Sequence, residues 1–263
     1  MELGIKNKVA LVAASSKGLG KAVAWSLAQE GAKLVICARN KSELEKTADD
    51  IFLATGVSVF PLVVDLSVTE QIEWLISETM DLFGKVDILV TNAGGPLPGN
   101  FDDVSDEDWM HSVQLTLLST IRLTRAVLPG MKQQKWGRII HMTSVSVKQP
   151  IDNLLISNVL RPGVIGLTKS MALELAKDNI LVNAVCPGYY LTDRVKSLLE
   201  DKAKKTGHTI QKATEEINKQ IPLNRLGNPS ELSSLVAFLA SEKASYITGT
   251  TIQADGGYVK GLM

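Results

Sequence analysis

The fold is decided by the stretch Val9-Ala10-Leu11-Val12-Ala13-Ala14-Ser15-Ser16-Lys17-Gly18-Leu19-Gly20, an apolar run that leads into a glycine-bearing turn. After the turn, Leu19, Val23 and Leu27 recur at helical spacing, and the pattern stops at Gly31, as is typical of a helix C-cap. The stretch therefore predicts a strand, a tight turn and a helix. Glycines in such a turn let the backbone approach a phosphate, and the helix N-terminus offers unpaired N–H groups. We therefore expect a nucleotide pyrophosphate to bind here.

The same alternation continues along the rest of the chain. Further strand-like runs cover residues 34–37, 57–64, 86–90, 138–142, 180–185 and 250–253. Helix-like patterns separate these runs, including one long helix that we expect to run from Ser105 towards Met131. Alternation of this kind is typical of βαβ units with right-handed crossovers. The predicted fold is a doubly wound α/β Rossmann fold, with about seven parallel strands and helices on both faces.

Residues 195–221 break this alternation, because they are charged and helical in pattern with no strand among them. They follow a Pro187-Gly188 turn at the carboxyl end of a strand, the edge of an open α/β sheet where ligands bind. We interpret about 194–222 as a helical lid insertion; the alternative is a peripheral helical pair that does not move. No internal repeat or linker is visible, so residues 1–263 are predicted to form a single nucleotide-binding domain.

Composition argues against several classes of partner. Lysine plus arginine equals aspartate plus glutamate, 28 against 28, so no basic surface for nucleic acid or an anionic membrane is indicated. No apolar run approaches the roughly 18 residues of a membrane span, and the N-terminal residues lack the apolar core of a secretory signal. The two cysteines form no Cys-x-x-Cys pair, and the three histidines show no metal-ligand spacing. We therefore expect a cytoplasmic protein with free thiols and no metal.

Five motifs carry a resemblance to a known family. The glycine turn resembles the Thr-Gly-x-x-x-Gly-x-Gly turn of the short-chain dehydrogenase/reductase family, with Ala14 in place of the first glycine. The later motifs follow in the family's order and spacing: Asp65, Asn92-Ala93-Gly94, Asn183-Ala184-Val185-Cys186-Pro187-Gly188 with Thr192, and Asp255-Gly256-Gly257. Within the family, the sequence is similar to bacterial 3-oxoacyl-acyl-carrier-protein reductases. The resemblance implies a nicotinamide-dependent oxidoreductase.

The residues after the second strand decide the expected cofactor. Folds that bind NAD usually place an acid there for the ribose 2′-hydroxyl, whereas this chain has Ala38 and then Arg39. Arg39, together with Lys17, suits the 2′-phosphate of NADP(H); the alternative is that both are solvated surface cations. We predict NADP(H). Together with Arg39, the resemblance implies that the following residues hold it: Ala14, Ser16, Lys17, Gly18, Leu19, Gly20, Asp65, Leu66, Asn92, Ala93, Gly94, Arg161, Pro187, Gly188 and Thr192.

The family's catalytic positions are altered in this chain. Aligned through the Gly-Val-Ile-Gly-Leu-Thr-Lys stretch at 163–169, the family's tyrosine falls on Ser157, its lysine on Arg161 and its asparagine on Thr116, while its serine is kept as Ser144. In the family, the tyrosine transfers a proton and the lysine lowers its pKa. An aliphatic hydroxyl is a poorer proton donor than a phenol. We expect Arg161 to hold the nicotinamide ribose but not to shuttle protons.

Two hypotheses of function follow from this combination. The first is an NADPH-dependent oxidoreductase acting on a small-molecule or acyl-thioester carbonyl, with Ser144, Ser157, Arg161 and Thr116 at its catalytic centre. The second is a catalytically silent NADP(H)-binding sensor or assembly protein. Two tyrosines after the Pro-Gly turn are expected to form apolar pocket walls; the alternative is a substitute proton donor. The resemblance also implies a homotetramer joined through the helices that contain residues 115–128 and 159–175.

Overall fold

A computed structural model describes residues 2–262 and contains one seven-stranded sheet. Its strands are β1 Val9–Val12, β2 Lys33–Ala38, β3 Val59–Val63, β4 Ile88–Thr91, β5 Gly137–Met142, β6 Ile180–Pro187 and β7 Thr251–Ala254. Their spatial order is β3-β2-β1-β4-β5-β6-β7, and every neighbouring pair is parallel. Strands β1 to β3 are added towards one edge of the sheet and β4 to β7 towards the other, so the strand order reverses between β1 and β4. The predicted doubly wound fold is confirmed, and this reversal marks where ligands bind in such sheets.

Nine α-helices lie within residues 2–262. They are α1 Gly18–Gln29, α2 Lys41–Thr55, α3 Thr69–Phe83, α4 Asp106–Ser112, α5 Ser119–Gln134, α6 Leu155–Leu175, α7 Asp193–Thr206, α8 Ile210–Gln220 and α9 Pro229–Leu239. None of the helices described here is long and apolar enough to cross a membrane.

The long helix predicted to run from Ser105 towards Met131 is present, but its middle is not α-helical. Ser105 does cap the N-terminus, because its Oγ accepts from Asp108 N at 3.2 Å. A π-helical segment, Val113–Leu118, then separates α4 from α5. Such wide turns inside helices are rare and are frequent at functional sites.

Two apolar layers cover the faces of the sheet. Successive strand residues point to opposite faces, so Ala10 and Val12 of β1 pack with α1, α2 and α9, whereas Leu11 packs with α3, α5 and α6. Burying both faces explains why the strands read as continuous apolar runs. The loops at the carboxyl edge of this rigid double layer carry the candidate site.

Residues 194–222 contain the predicted helical pair. Helices α7 and α8 pack through a small apolar cluster of their own, and Lys202 Nζ lies 3.1 Å from Glu216 Oε2 between them. The start of α7 lies against the glycine turn, since a Cβ on Gly18 would contact Thr192 at 3.6 Å. The helical pair therefore begins directly beside the predicted nucleotide site.

Candidate active site

A single cavity of about 720 Å³ opens at the carboxyl edge of the sheet. It runs from the glycine turn and the end of β2 to the loop after β5 and the first turns of α6. The structure brings nearly all of the predicted site residues to its wall: Ala14, Ser16, Lys17, Gly18, Leu19, Arg39, Asp65, Leu66, Asn92, Ala93, Gly94, Ser144, Ser157, Arg161, Pro187, Gly188 and Thr192. Gly20 and Thr116, also predicted, do not line it.

The glycine turn has the backbone geometry that a phosphate site needs. Ala14 and Gly18 adopt positive φ angles of 48° and 59°, and Asn92 Nδ2 donates to Ala14 O at 3.1 Å. A Cβ on Gly20 would lie 2.2 Å from Ala14 O, so Gly20 lets α1 pack against the turn. The first turn of α1 contains no acid, and Lys17 makes no side-chain cap there. Its N–H groups are therefore available to an anion.

Two exposed cations, Arg39 and Lys17, line the end of the cavity next to β2. Glu43 lies beside them, with its Oε1 3.6 Å from Lys17 Nζ. This counter-charge was not identified from the sequence, although Glu43 lies only four positions after Arg39. Lys17 therefore meets a carboxylate at the place where the 2′-phosphate of NADP(H) is expected.

Asp65 lies between this end and the middle of the cavity. Burial pushes the pKa of its carboxyl upward, but hydrogen bonds from Ser67 N and Oγ at 2.9 and 2.7 Å outweigh burial. With the nearby Arg39, they hold the pKa of Asp65 below its ordinary value. Asp65 is therefore ionised at neutral pH, and its position is set by Ser67.

Three of the four predicted catalytic residues meet at the other end of the cavity. Ser144 follows β5, and its Oγ accepts from Ser146 N at 3.1 Å. Ser157 lies in the first turn of α6, with its Oγ 3.2 Å from Ser146 Oγ. Arg161 lies one turn further along α6 and donates from Nη1 to Thr143 O at 2.7 Å. Ser146, which the sequence did not single out, therefore connects the two candidate serines.

A second guanidinium reaches the same end of the cavity from α7. Arg194 donates from Nη2 to Pro96 O at 2.8 Å and lies flat against Gly95, where a Cβ would be 3.1–3.3 Å from it. Burial and then the nearby Arg194 lower the pKa of Arg161 to about 10. Arg161 thus stays a cation at neutral pH. Arg194 comes two positions after Thr192, so the Pro-Gly motif could have indicated its place at this edge.

The glycine turn and the pair Ser157 and Arg161 lie in a chain that is similar to known proteins along nearly its whole length. The sequence profile of the family described as "Enoyl-(Acyl carrier protein) reductase" matches residues 13–259. The chain belongs to the short-chain dehydrogenase/reductase family.

Two curated members and one solved structure illustrate the match. "Dehydrogenase/reductase SDR family member 4" of Sus scrofa is 38% identical over 254 residues, covering 96% of this chain and 88% of that protein. The 3-oxoacyl-acyl-carrier-protein reductase FabG of Vibrio cholerae is 37% identical over 255 residues, covering 97% and 98%. The structure of L-sorbose reductase from Gluconobacter frateurii, complexed with NADPH and L-sorbose, gives a TM-score of 0.95 at 33% identity over all of both chains.

These relatives confirm the predicted resemblance and the expected class of cofactor. They include a 3-oxoacyl-acyl-carrier-protein reductase and an NADPH complex. The chain is thus an oxidoreductase of the short-chain dehydrogenase/reductase family. The chemistry at Ser144, Ser157, Arg161 and Thr116 depends on their own geometry.

Thr116, which the sequence alignment predicts at the position of the family's asparagine, lies in the π-helical segment. Its side chain is buried, and its Oγ1 has no hydrogen-bond partner within residues 2–262. The neighbouring Leu115 reaches the cavity wall instead. In this member of the short-chain dehydrogenase/reductase family, the Thr116 hydroxyl is therefore buried and does not line the cavity.

Tyr189 and Tyr190 follow the Pro-Gly turn of the family and both line the cavity. Tyr190 donates its hydroxyl to Ala254 O at 2.9 Å, and Tyr189 packs edge-on against Tyr258. Burial raises the pKa of both phenols, that of Tyr190 to about 12. Neither is poised to release a proton near neutrality. The geometry favours their interpretation as walls of the substrate pocket over their use as replacement proton donors.

Proposed function

We propose that the protein is an NADPH-dependent reductase of a carbonyl compound, a small ketone or a 3-oxoacyl thioester. One observation carries the proposal: a single cavity joins Lys17 and Arg39 at one end to Ser144, Ser157 and Arg161 at the other. The residues present fit NADPH, since a Cβ on Gly94 would meet no atom within 4 Å and a Cβ on Gly18 would meet only Thr192, at an ordinary contact distance of 3.6 Å.

Each part of the cavity would hold a different part of the cofactor. Arg39 and Lys17 would bind the 2′-phosphate, and the N-terminus of α1 would bind the pyrophosphate. Asp65 would face the adenosine, and Arg161 the nicotinamide ribose. The Pro-Gly turn with Thr192 would border the nicotinamide. When bound, NADPH supplies the hydride for the reduction.

Ser144 is proposed to position the carbonyl. Its Oγ already accepts a hydrogen bond from Ser146 N, so its own hydrogen is left to donate to the substrate oxygen. Charge that develops on this oxygen would be stabilised by the Ser144 hydroxyl and the Arg161 cation in a partly buried site. The alcohol product also needs a proton on the same oxygen. Because serine is a weak acid, we propose that solvent supplies this proton through the hydroxyls of Ser144 and Ser157.

The second candidate function is a silent NADP(H)-binding protein. It is favoured by one observation, that both tyrosines of the cavity have raised pKa values and no phenol lies at position 157. The nucleotide end of the cavity suits this function equally well. The two functions differ only in whether hydride leaves the bound cofactor.

Purified protein should be assayed for NADPH oxidation with a panel of ketones, keto acids and 3-oxoacyl thioesters. The reductase hypothesis expects slow turnover, with Ser144→Ala reducing kcat at least tenfold while the Kd for NADPH stays unchanged. NADPH binding without oxidation of any panel member would favour the silent protein. Failure to bind NADPH at all would contradict both functions.

We also propose a homotetramer joined through α5 and α6. The outer face of α6 leaves Val159 and Leu173 exposed, by 54% and 75%, and a Cβ on Gly166 would meet no atom within 4 Å. Apolar and small residues on one helix face are suited to packing against a second copy. Light scattering should give about four times the 28.4 kDa chain mass; a monomer at micromolar concentration would contradict the tetramer.

A further inference from the structure

Arg161 and Arg194 bring two positive charges to the end of the cavity that holds Ser144 and Ser157, here called the carbonyl end. Arg161 reaches it from α6, and Arg194 from α7. We propose that the substrate of the reductase carries a carboxylate next to its carbonyl group, and that Arg194, supported by Arg161, binds this carboxylate. The inference rests on the proposed function and adds the substrate class to it.

Neither arginine forms an ion pair with another described residue, although Asp201 of α7 lies near enough to raise the pKa of Arg194 against the larger effect of burial. Within residues 2–262, no carboxylate lies within 4.0 Å of either guanidinium. Glu43 and Asp65 line the same cavity, but they are engaged with Lys17 and Ser67 at its nucleotide end. Asp193, the third acid of the wall, makes no ion pair with either arginine. Partly buried cations are normally paired, so an anion from outside the chain is the missing partner.

Both guanidiniums also retain donors for such an anion. An arginine has five N–H groups in a fixed fork. Among the described residues, Arg194 uses Nη2 for Pro96 O, and Arg161 uses Nη1 for Thr143 O. The Nε of Arg161 is buried without a partner. A fork with free donors matches the two oxygens of a carboxylate.

The proximity of the two cations also favours an anion between them. Arg194 contributes to lowering the pKa of Arg161, so the pair repel each other across the cavity. An anion between them would replace this repulsion by two attractions. Arg194 is held by contacts with Gly95 and Pro96, so it already lies over the cavity before a substrate arrives.

The rest of the wall indicates what the carboxylate is attached to. Around the arginines and serines, the lining is apolar and aromatic: Pro96, Leu115, Ile151, Leu154, Tyr189 and Leu198. Such a wall suits an apolar substituent, while Ser144 is left for the carbonyl oxygen. The proposed substrate class is therefore a keto acid with an apolar or aromatic side chain.

The competing role for Arg194 is a contact with the cofactor pyrophosphate. Titration calorimetry on the protein saturated with NADP⁺ separates the two roles, because no hydride is then available and turnover cannot occur. The probes are benzoylformate, an aromatic keto acid, and its methyl ester. The variants are Arg194→Gln, Arg194→Lys and, as a matched control, Lys196→Gln, which removes one charge from the same helix outside the cavity wall.

We expect benzoylformate to bind the wild-type complex at least tenfold more tightly than its ester. Arg194→Gln should weaken benzoylformate binding about 10- to 100-fold, the range for charge-assisted contacts, and leave the ester and NADP⁺ nearly unchanged. Arg194→Lys should retain part of the affinity, and Lys196→Gln all of it. The inference is overturned if acid and ester bind the wild type equally, if neither binds, or if Arg194→Gln weakens NADP⁺ instead. Reduction of neutral ketones without any preference for the acid would overturn this inference and leave the proposed function intact.

Discussion

The two ends of the cavity place different demands on the sequence: one constrains the backbone, and the other the chemistry of the side chains. At the nucleotide end, formed by β1, β2 and the glycine turn, the requirements fall on the backbone: a positive φ at Gly18, and room for α1 that only Gly20 leaves. At the carbonyl end, formed by β5, α6 and α7, the requirements fall on side-chain chemistry. Here Ser157 and Arg161 lie at the positions where the sequence alignment predicts the family's tyrosine and lysine, on an unchanged family fold.

The difference shows which site residues the fold requires and which can be substituted without loss of the fold. Substitution of Gly20 would displace α1, because an added Cβ would overlap Ala14 O. Substitution at position 157 disturbs only the cavity and the 3.2 Å contact with Ser146 Oγ. The nucleotide end is therefore tied to folding, whereas the carbonyl end can change its chemistry on an unchanged frame.

The largest expected effect comes from restoring the carbonyl end. The double variant Ser157→Tyr with Arg161→Lys returns a phenol and a cation that can lower its pKa. We expect kcat for neutral ketones to rise about 10²- to 10⁴-fold, the usual contribution of a positioned acid. Steady-state NADPH oxidation measures this, and each single variant should gain far less, since the two groups act as a unit. A double variant that binds NADPH but gains nothing would show that the two ends differ by more than these residues.

The next effect tests the nucleotide end by reversing one charge. Arg39→Asp replaces the proposed 2′-phosphate contact with the acid that NAD-binding folds use. We expect the Kd for NADPH to rise at least 10- to 100-fold while that for NADH falls or stays constant. Fluorescence titration with both cofactors gives the two values, and Lys41→Asp on the neighbouring turn is a control outside the cavity wall. Equal losses for both cofactors would refute the phosphate contact.

The same contrast explains how much could be predicted. Alternating apolar runs and glycine-marked turns depend on backbone geometry, so the sheet and its strands could be predicted from residue type, and about half of the cavity wall from the family resemblance. The long helix after Ser105 was predicted but its π-helical segment was not, because such a segment has no signal in apolar spacing. Thr116 lies in that segment, and its hydroxyl is buried and does not line the cavity.

Contacts between distant side chains were beyond reach. Ser146 contacts Ser157, which lies 11 positions later in the sequence. Lys17 of the glycine turn pairs with Glu43 in the first turn of α2. Arg194 of α7 donates to Pro96 O in the loop after β4, 98 positions earlier. These meetings depend on rotamers and on the packing of separate elements at one edge. Motif spacing does not encode either: it could indicate that Arg194 lies at this edge, but not its contact with Pro96 O or the counter-charge of Lys17.

A smaller effect concerns the free energy of unfolding, which the buried charge of Arg161 at the carbonyl end lowers. Burial and then Arg194 lower the pKa of Arg161 to about 10 from its ordinary value of 12.5, so its charge opposes folding at neutral pH, and this cost declines as pH rises from 10 towards 12.5. Arg161→Met removes this charge and the unpartnered Nε. We expect the free energy of unfolding without cofactor to rise by about 1 kcal/mol, or Tm by roughly 2–4 °C. Thermal unfolding at pH 7 measures it. A fall in Tm would mean that the bond to Thr143 O outweighs the buried charge.

The smallest expected effect sharpens the nucleotide end. The Glu43 carboxylate lies 3.6 Å from Lys17 Nζ and would face the incoming 2′-phosphate, so it both competes for the lysine and repels the ligand. Because the pair is exposed, its strength is that of a surface ion pair, roughly 0.2–1 kcal/mol. Glu43→Gln should therefore lower the Kd for NADPH about two- to fivefold at low salt and leave the Kd for NADH unchanged, since NADH carries no 2′-phosphate.

Glu45→Gln is the matched control, because Glu45 pairs with Lys41 at 3.7 Å on the same helix, outside the cavity wall. Titrations at two ionic strengths should show the gain shrinking with salt. An equal gain for NADH, or the same gain from Glu45→Gln, would mean that Glu43 changes only the general field of the surface and that Lys17 does not meet the phosphate.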